Sequence, residues 1–99
     1  MIKHVVLFKF KSFSNDEEKN TKCEEIKNAL LALDNKIEEL LSIEVGINSN
    51  PNESFDLSLI TTFNSMEALH TYAVHPDHLK VGAIIREILE ERSCVDYTI

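Results

Sequence analysis

Cysteines are few in this chain, basic charge is sparse, and no long apolar run is present. Each shortage removes a class of protein. The two cysteines, Cys23 and Cys94, lie far apart and form no CxxC pair. That excludes a disulfide framework and a thioredoxin-like redox motif, and unbridged thiols fit a cytoplasmic location. Lysine and arginine total 10 against 17 acids, giving a net charge of −7. A chain so acidic repels polyanions, so neither nucleic acid nor an anionic membrane surface is an expected partner. The apolar run from Val5 to Phe8 soon meets Lys9 and Lys11. It is too short for a signal-peptide core or a membrane span. Repeats, linkers and low-complexity tracts are missing, as is any haem or flavin motif. No cofactor is expected.

What remains is a chain of 99 residues, enough for one domain over residues 1–99 with a modest core. Residues 2–11 alternate as a strand. Ile2, His4, Val6, Phe8 and Phe10 share one face, and Lys3, Val5, Leu7, Lys9 and Lys11 share the other. Because Val5 to Phe8 is apolar on both faces, both faces should be covered, the second by another subunit. Ser14 and Glu17 read as a capping box opening a helix. Cys23, Ile26, Leu30, Leu33, Ile37 and Leu40 form its apolar stripe. Asp34-Asn35-Lys36 interrupts helix propensity without changing phase, so the helix either stops there or continues as an irregular turn.

Residues 42–49 and 55–63 alternate around the turn-forming cluster at 48–52 and predict an antiparallel pair. Asn64 or Ser65 caps a second helix carrying Met66, Leu69, Tyr72 and Ala73. It must break by His75, because a residue before proline disfavours helical geometry. Pro76 then opens a third helix with an apolar face of Leu79, Val81, Ile84, Ile85, Ile88 and Leu89. Gly82 inside it costs about 1 kcal/mol relative to Ala and points to a close approach. Residues 93–99 read as the last strand. This order predicts an α+β, ferredoxin-like domain: a four-stranded antiparallel sheet with helices on one face. The other face, with Val5, Leu7 and Ile60, is half apolar, which predicts a homodimer packed sheet to sheet.

The chemistry concentrates in Tyr72-Ala73-Val74-His75-Pro76-Asp77-His78. Histidine titrates near neutral pH, so two of them about a rigid turn after a tyrosine suit proton transfer. The same residues also suit a plain helix junction. His4 shares its strand face with Val6 and Phe8 and is placed to approach this turn if that face meets the helices. His70 points away from Leu69 and Ala73, toward solvent. His4, His75 and His78 raise the question of a metal, with Asp77 as a fourth donor. The two histidines of the turn straddle a proline instead of standing at helical i, i+4 spacing, and Asp77 reads as a cap for the third helix. No metal is expected.

Met1-Ile2-Lys3-His4-Val5-Val6-Leu7-Phe8-Lys9-Phe10-Lys11, His75-Pro76-Asp77-His78 and Val95-Asp96-Tyr97 together resemble the stress-responsive A/B barrel (Dabb) domain, over essentially the whole chain. The resemblance implies a dimeric α+β barrel. By likeness to a plant polyketide cyclase of that family, it also implies catalytic roles for His78 and Tyr72, with His4 and His75 in the pocket. Two functions follow. One is a small-molecule cyclase or lyase, with His78 as base, Tyr72 as donor to a carbonyl oxygen, and His4 and His75 in support. The other is a non-catalytic, stress-related module that binds a small hydrophobic ligand. A monooxygenase-like barrel is a third reading, which no haem or flavin motif supports. The first requires that Tyr72, His78 and His4 meet in one apolar pocket between sheet and helices.

Overall fold

A computed structural model describes all of residues 1–99. The elements follow as β1 (Ile2–Phe10), α1 (Asp16–Leu31), β2 (Ser42–Ile47), β3 (Leu57–Phe63), α2 (Met66–Ala73), α3 (Pro76–Ile88) and β4 (Leu89–Thr98). The sheet runs β2-β3-β1-β4 and every neighbouring pair is antiparallel. This is the expected ferredoxin-like order. No helix is long and apolar enough to cross a membrane.

Strand register sorts the side chains into rows. On the helix-facing side, Thr61, His4 and Asp96 stand opposite one another, then Leu59, Val6 and Cys94, then Leu57, Phe8 and Arg92. The first two strand positions of each row are buried, and the β4 member is exposed at the sheet edge. On the other side, Ile60, Val5 and Val95 form one row and Ser58, Leu7 and Ser93 the next. Leu7 and Val95 are exposed there. The core between sheet and helices includes Phe63, Ile26, Leu30, Leu57 and Val6, all nearly sealed from solvent, and Cys23 packs within it as a small apolar group.

Several boundaries depart from the sequence pattern, each for a local reason. The cap of α1 is Asn15, not Ser14: its side chain accepts from the Glu18 N–H, so Asn15 and Glu18 occupy the positions expected of Ser14 and Glu17. The helix ends at Leu31, and Asn35 takes a left-handed conformation with φ 69°. Leu33, Ile37 and Leu40 nevertheless stay in the core. Three-residue turns, in which Leu33, Lys36 and Leu40 donate to the carbonyls three positions back, keep the stripe on the same side. Strand β4 starts at Leu89 directly after α3, so Leu89 belongs to the sheet and Leu79, half exposed, leaves the apolar face of α3.

Strict alternation over residues 55–63 sets Asp56 on the face opposite Leu57, away from the core. It lies instead just before β3 and is buried. Its carboxylate accepts from the Phe10 N–H at 2.8 Å and from Lys19 Nζ at 2.6 Å, tying the end of β1 to α1. The hydrogen bond to Asp56 is the main reason that the Lys19 ammonium is held above its usual pKa. Asp56→Ala is expected to destabilise the fold by about 1–3 kcal/mol, because a buried N–H loses its partner. Chemical denaturation measures this, and Asp56→Asn, which keeps an acceptor, should cost less.

Candidate functional site

The α2–α3 junction positions the site. Helix α2 ends at Ala73, and Val74 is exposed. His75, in extended geometry before Pro76, is the N-cap of α3, and its Nδ1 accepts from the Asp77 N–H at 3.1 Å. Asp77 was expected to supply that cap. It sits one residue inside Pro76, where an acid favours the helix N-terminus but cannot reach back as the cap. His75 is thereby committed to the turn and does not line the cavity described below.

His78 follows in the first turn of α3. Its Nδ1 lies 3.0 Å from the Ala73 carbonyl, one of the acceptors left free at the end of α2. Since a carbonyl only accepts, Nδ1 carries the proton and Nε2 is left as the basic nitrogen. Burial lowers the pKa of His78 from 6.5, and the charges of His4, Arg92 and Arg86 lower it further, while the Ala73 bond works in the opposite direction. A neutral imidazole with a free Nε2 can accept a proton near neutral pH.

Tyr72 packs directly on His78, with ring centroids 4.4 Å apart, and on Phe63 at 5.0 Å. Phe63 in turn meets His4 edge-on at 6.5 Å. The Tyr72 hydroxyl is buried and has no hydrogen-bond partner within the protein. Burial pushes its pKa up to about 12. It therefore stays protonated at physiological pH and is a donor awaiting an acceptor, an arrangement that proteins seldom leave unanswered.

Tyr72, His78 and His4 all line one cavity of about 500 Å³ between the sheet and α2–α3, with Val6, Phe8 and Leu69 among its apolar walls. This size suits a small organic ligand. The structure thus brings together three of the four residues expected at a site and separates His75 from them. His70 is exposed, as expected, yet it stands at the cavity rim.

The β4 side of the cavity is only partly legible in the sequence. His4 Nδ1 hydrogen-bonds to the Asp96 carboxylate directly across the β1–β4 pair. Cys94 Sγ lies 3.5 Å from His4 Nδ1 and 3.7 Å from the Asp96 carboxylate. Partial burial, then the Asp96 charge, raises the Cys94 thiol above its ordinary pKa. The ligand atoms of His4, Cys94 and Asp96 fall within 4.8 Å of one another, a donor set of a kind that can hold a transition metal. It differs from the set of His4, His75, His78 and Asp77 weighed from the sequence. Asp96 belongs to the Val95-Asp96-Tyr97 motif and is expected from the sequence to bond across strands, as it does to His4; nothing in the sequence marks Cys94 or names His4 as the partner.

Comparison with known proteins agrees with this architecture. Residues 2–99 match the family model described as the stress responsive A/B barrel domain (Dabb). Olivetolic acid cyclase from Cannabis sativa is 29% identical over 98% of this chain and 95% of its own length. A solved structure of a dimeric ferredoxin-like protein of unknown function from Bacteroides fragilis is 40% identical, with a TM-score of 0.93 over 99% of this chain and 95% of that one. A hydroxynitrile lyase from Passiflora edulis, 18% identical, shares the fold with a TM-score of 0.81 over 99% of this chain and 92% of its own. With the order of strands and helices, the turn at His75-Pro76-Asp77-His78 and a match that runs almost from end to end, this chain belongs to the stress responsive A/B barrel domain family.

Proposed function

We propose that this protein is a small-molecule enzyme of the cyclase or lyase type, which removes an acidic C–H proton next to a carbonyl group. The observation that carries this is the contact between His78 and Tyr72 on the wall of one apolar cavity. In the proposed step, His78 Nε2 takes the proton from the carbon. The electron pair left behind moves onto the carbonyl oxygen as an enolate, and the Tyr72 hydroxyl hydrogen-bonds to that oxygen. The enolate carbon then attacks a second carbonyl carbon of the same substrate, closing a C–C bond as that C=O electron pair moves onto its oxygen. The alkoxide so formed takes the proton back from the imidazolium; the lyase direction is the reverse. Burial suits both partners: it keeps His78 neutral as a base and Tyr72 protonated as a donor. His4, oriented by Asp96, supports the opposite wall. His75 is left the task of fixing the turn. Similarity to a relative named as a cyclase favours the same direction.

A binding module without turnover is the second reading, favoured by the mostly apolar lining of the cavity. It takes the same ligands but does not exchange their protons.

The test is deuterium exchange into a β-ketoester in heavy water, followed by proton NMR. His78→Gln is expected to lower the protein-catalysed exchange by about 10²-fold or more, the usual worth of a positioned base. Tyr72→Phe should lower it by about tenfold or more through loss of the oxygen contact. Because the hydroxyl has no internal partner, Tyr72→Phe should leave stability within about 1 kcal/mol of the parent or raise it. Absence of exchange above buffer, with the ester bound, would sink the enzyme reading and leave the binding one.

pH gives a second check. The base works when neutral, so the rate should fall as pH drops through the His78 pKa, and that midpoint should lie below 6.5. The sign for stability is the same. The folded pKa is depressed, so the unfolded chain binds more protons below 6.5, and the His78 contribution is lost as pH falls from there through the folded value. A rate midpoint at or above 6.5 would contradict the assignment.

We further infer that the protein acts as a homodimer through the open sheet face, where Val5, Ile60 and Val95 form one continuous row. The similar protein from Bacteroides fragilis, described as dimeric, supports this. Val95, 55% exposed, should be central to the contact. Val95→Lys is expected to shift the protein toward monomer in sedimentation velocity, since a buried unpaired charge opposes association. An unchanged dimer would move the interface elsewhere.

A further inference from the structure

The chain has two arginines, Arg86 and Arg92, and both line the cavity that holds His78 and Tyr72. They approach it from different walls. Arg86 comes from the last turn of α3, and Arg92 stands on β4 opposite Phe8, in a row that faces the helices. Neither Arg86 nor Arg92 lies within ion-pair distance of a carboxylate: the lysine–carboxylate pairs of this fold are made by Lys9, Lys19 and Lys22. The Asp96 carboxylate, on the same face of β4 as Arg92, is engaged by His4 instead.

The close approach at Gly82 is made by Arg86. A Cβ at this position would come within 3.3 Å of an Arg86 guanidinium nitrogen. The guanidinium thus lies back along α3 beside Gly82, one turn from its own Cα and at the cavity wall. Both guanidinium charges also act on His78, adding to its burial in disfavouring the imidazolium. Their field thus reaches the point where the proposed chemistry takes place.

An apolar cavity edged by two guanidinium groups that have no carboxylate partner, Arg92 lying beside the Cys94 thiol, suits a ligand with an apolar body and an anionic end. Guanidinium forks match carboxylate oxygens in a bidentate geometry that an ammonium cannot reproduce. We propose that Arg86 and Arg92 bind the carboxylate of the substrate, so that the substrate class is an oxo acid with an apolar chain and not a neutral ketone or aldehyde. The oxo part of this assignment rests on the acid–base reading above. The carboxylate part stands on binding alone and is tested without turnover.

The probes are 4-phenylbutyrate and its amide, 4-phenylbutanamide, titrated into the full chain at low ionic strength and followed by amide and imidazole NMR shifts. The carboxylate is expected to bind about tenfold more tightly than the amide, with the largest shifts at Gly82, Arg86, Arg92 and His78. Raising the salt should shrink that preference, because both arginines are exposed at the rim. In the double variant Arg86→Gln/Arg92→Gln, checked for folding by its amide spectrum, the ratio of the two dissociation constants should fall toward one. Equal affinities in the parent would overturn the arginine assignment while leaving a ligand cavity in place. A preference that survives in the double variant would overturn it as well. Binding of neither probe at millimolar concentration would overturn it together with the reading of the cavity as a ligand site.

Discussion

One hydrogen bond organises the site: His78 Nδ1 to the Ala73 carbonyl, across the turn between α2 and α3. It gives the end of α2 a partner for an otherwise free acceptor. It fixes the tautomer of His78, so that the lone pair is on Nε2. It also draws the imidazole back over α2, where the ring meets Tyr72. Pro76 and the His75 cap hold the turn that makes this bond possible. The turn histidine and the cavity histidine therefore have different tasks, although they stand three residues apart.

The second constraint is the sheet. Antiparallel register places His4 between Thr61 and Asp96, and the row points under the helices. The aromatic sequence His4, Phe63, Tyr72, His78 then spans the space from β1 to α3 by successive ring contacts. Phe63 and Tyr72 belong to the core, His4 is buried beside it, and His78 is half-buried at its edge. The electrostatics of the site follow from the same burial. A low-dielectric wall disfavours both imidazolium and tyrosinate, so the acceptor and the donor are each kept in their neutral forms.

The helix-facing half of this arrangement was legible in the sequence because it rests on local pattern. Alternation put His4 beside Val6 and Phe8, helical spacing put Tyr72 with Leu69, and proline fixed where α2 ends. Caps were harder, since Ser14 and Asn15 are equally able acceptors and Asp77 is by type a better one than His75, so backbone geometry and not residue type decides. Asp56 and most of the β4 wall were not legible for a different reason. Asp56 leaves the strand just before β3 begins, so alternation misplaces it. Asp96 and Cys94 acquire His4 as a partner, and Arg92 its place at the cavity, through the register of β4 on β1, a long-range pairing that no local period encodes. The start of β4 at Leu89 was hidden too, because Leu89 continues the apolar spacing of α3.

The proposed chemistry requires that His78 offer a bare Nε2 beside Tyr72, and the ring nitrogens can be read directly. A long-range ¹H–¹⁵N spectrum of the imidazole at neutral pH should show His78 neutral, with its proton on Nδ1 and Nε2 unprotonated. Through-space contacts to the Tyr72 ring should appear in the same sample. A His78 protonated on Nε2, or an imidazolium at neutral pH, would contradict the account, because the nitrogen assigned to receive the substrate proton would already hold one.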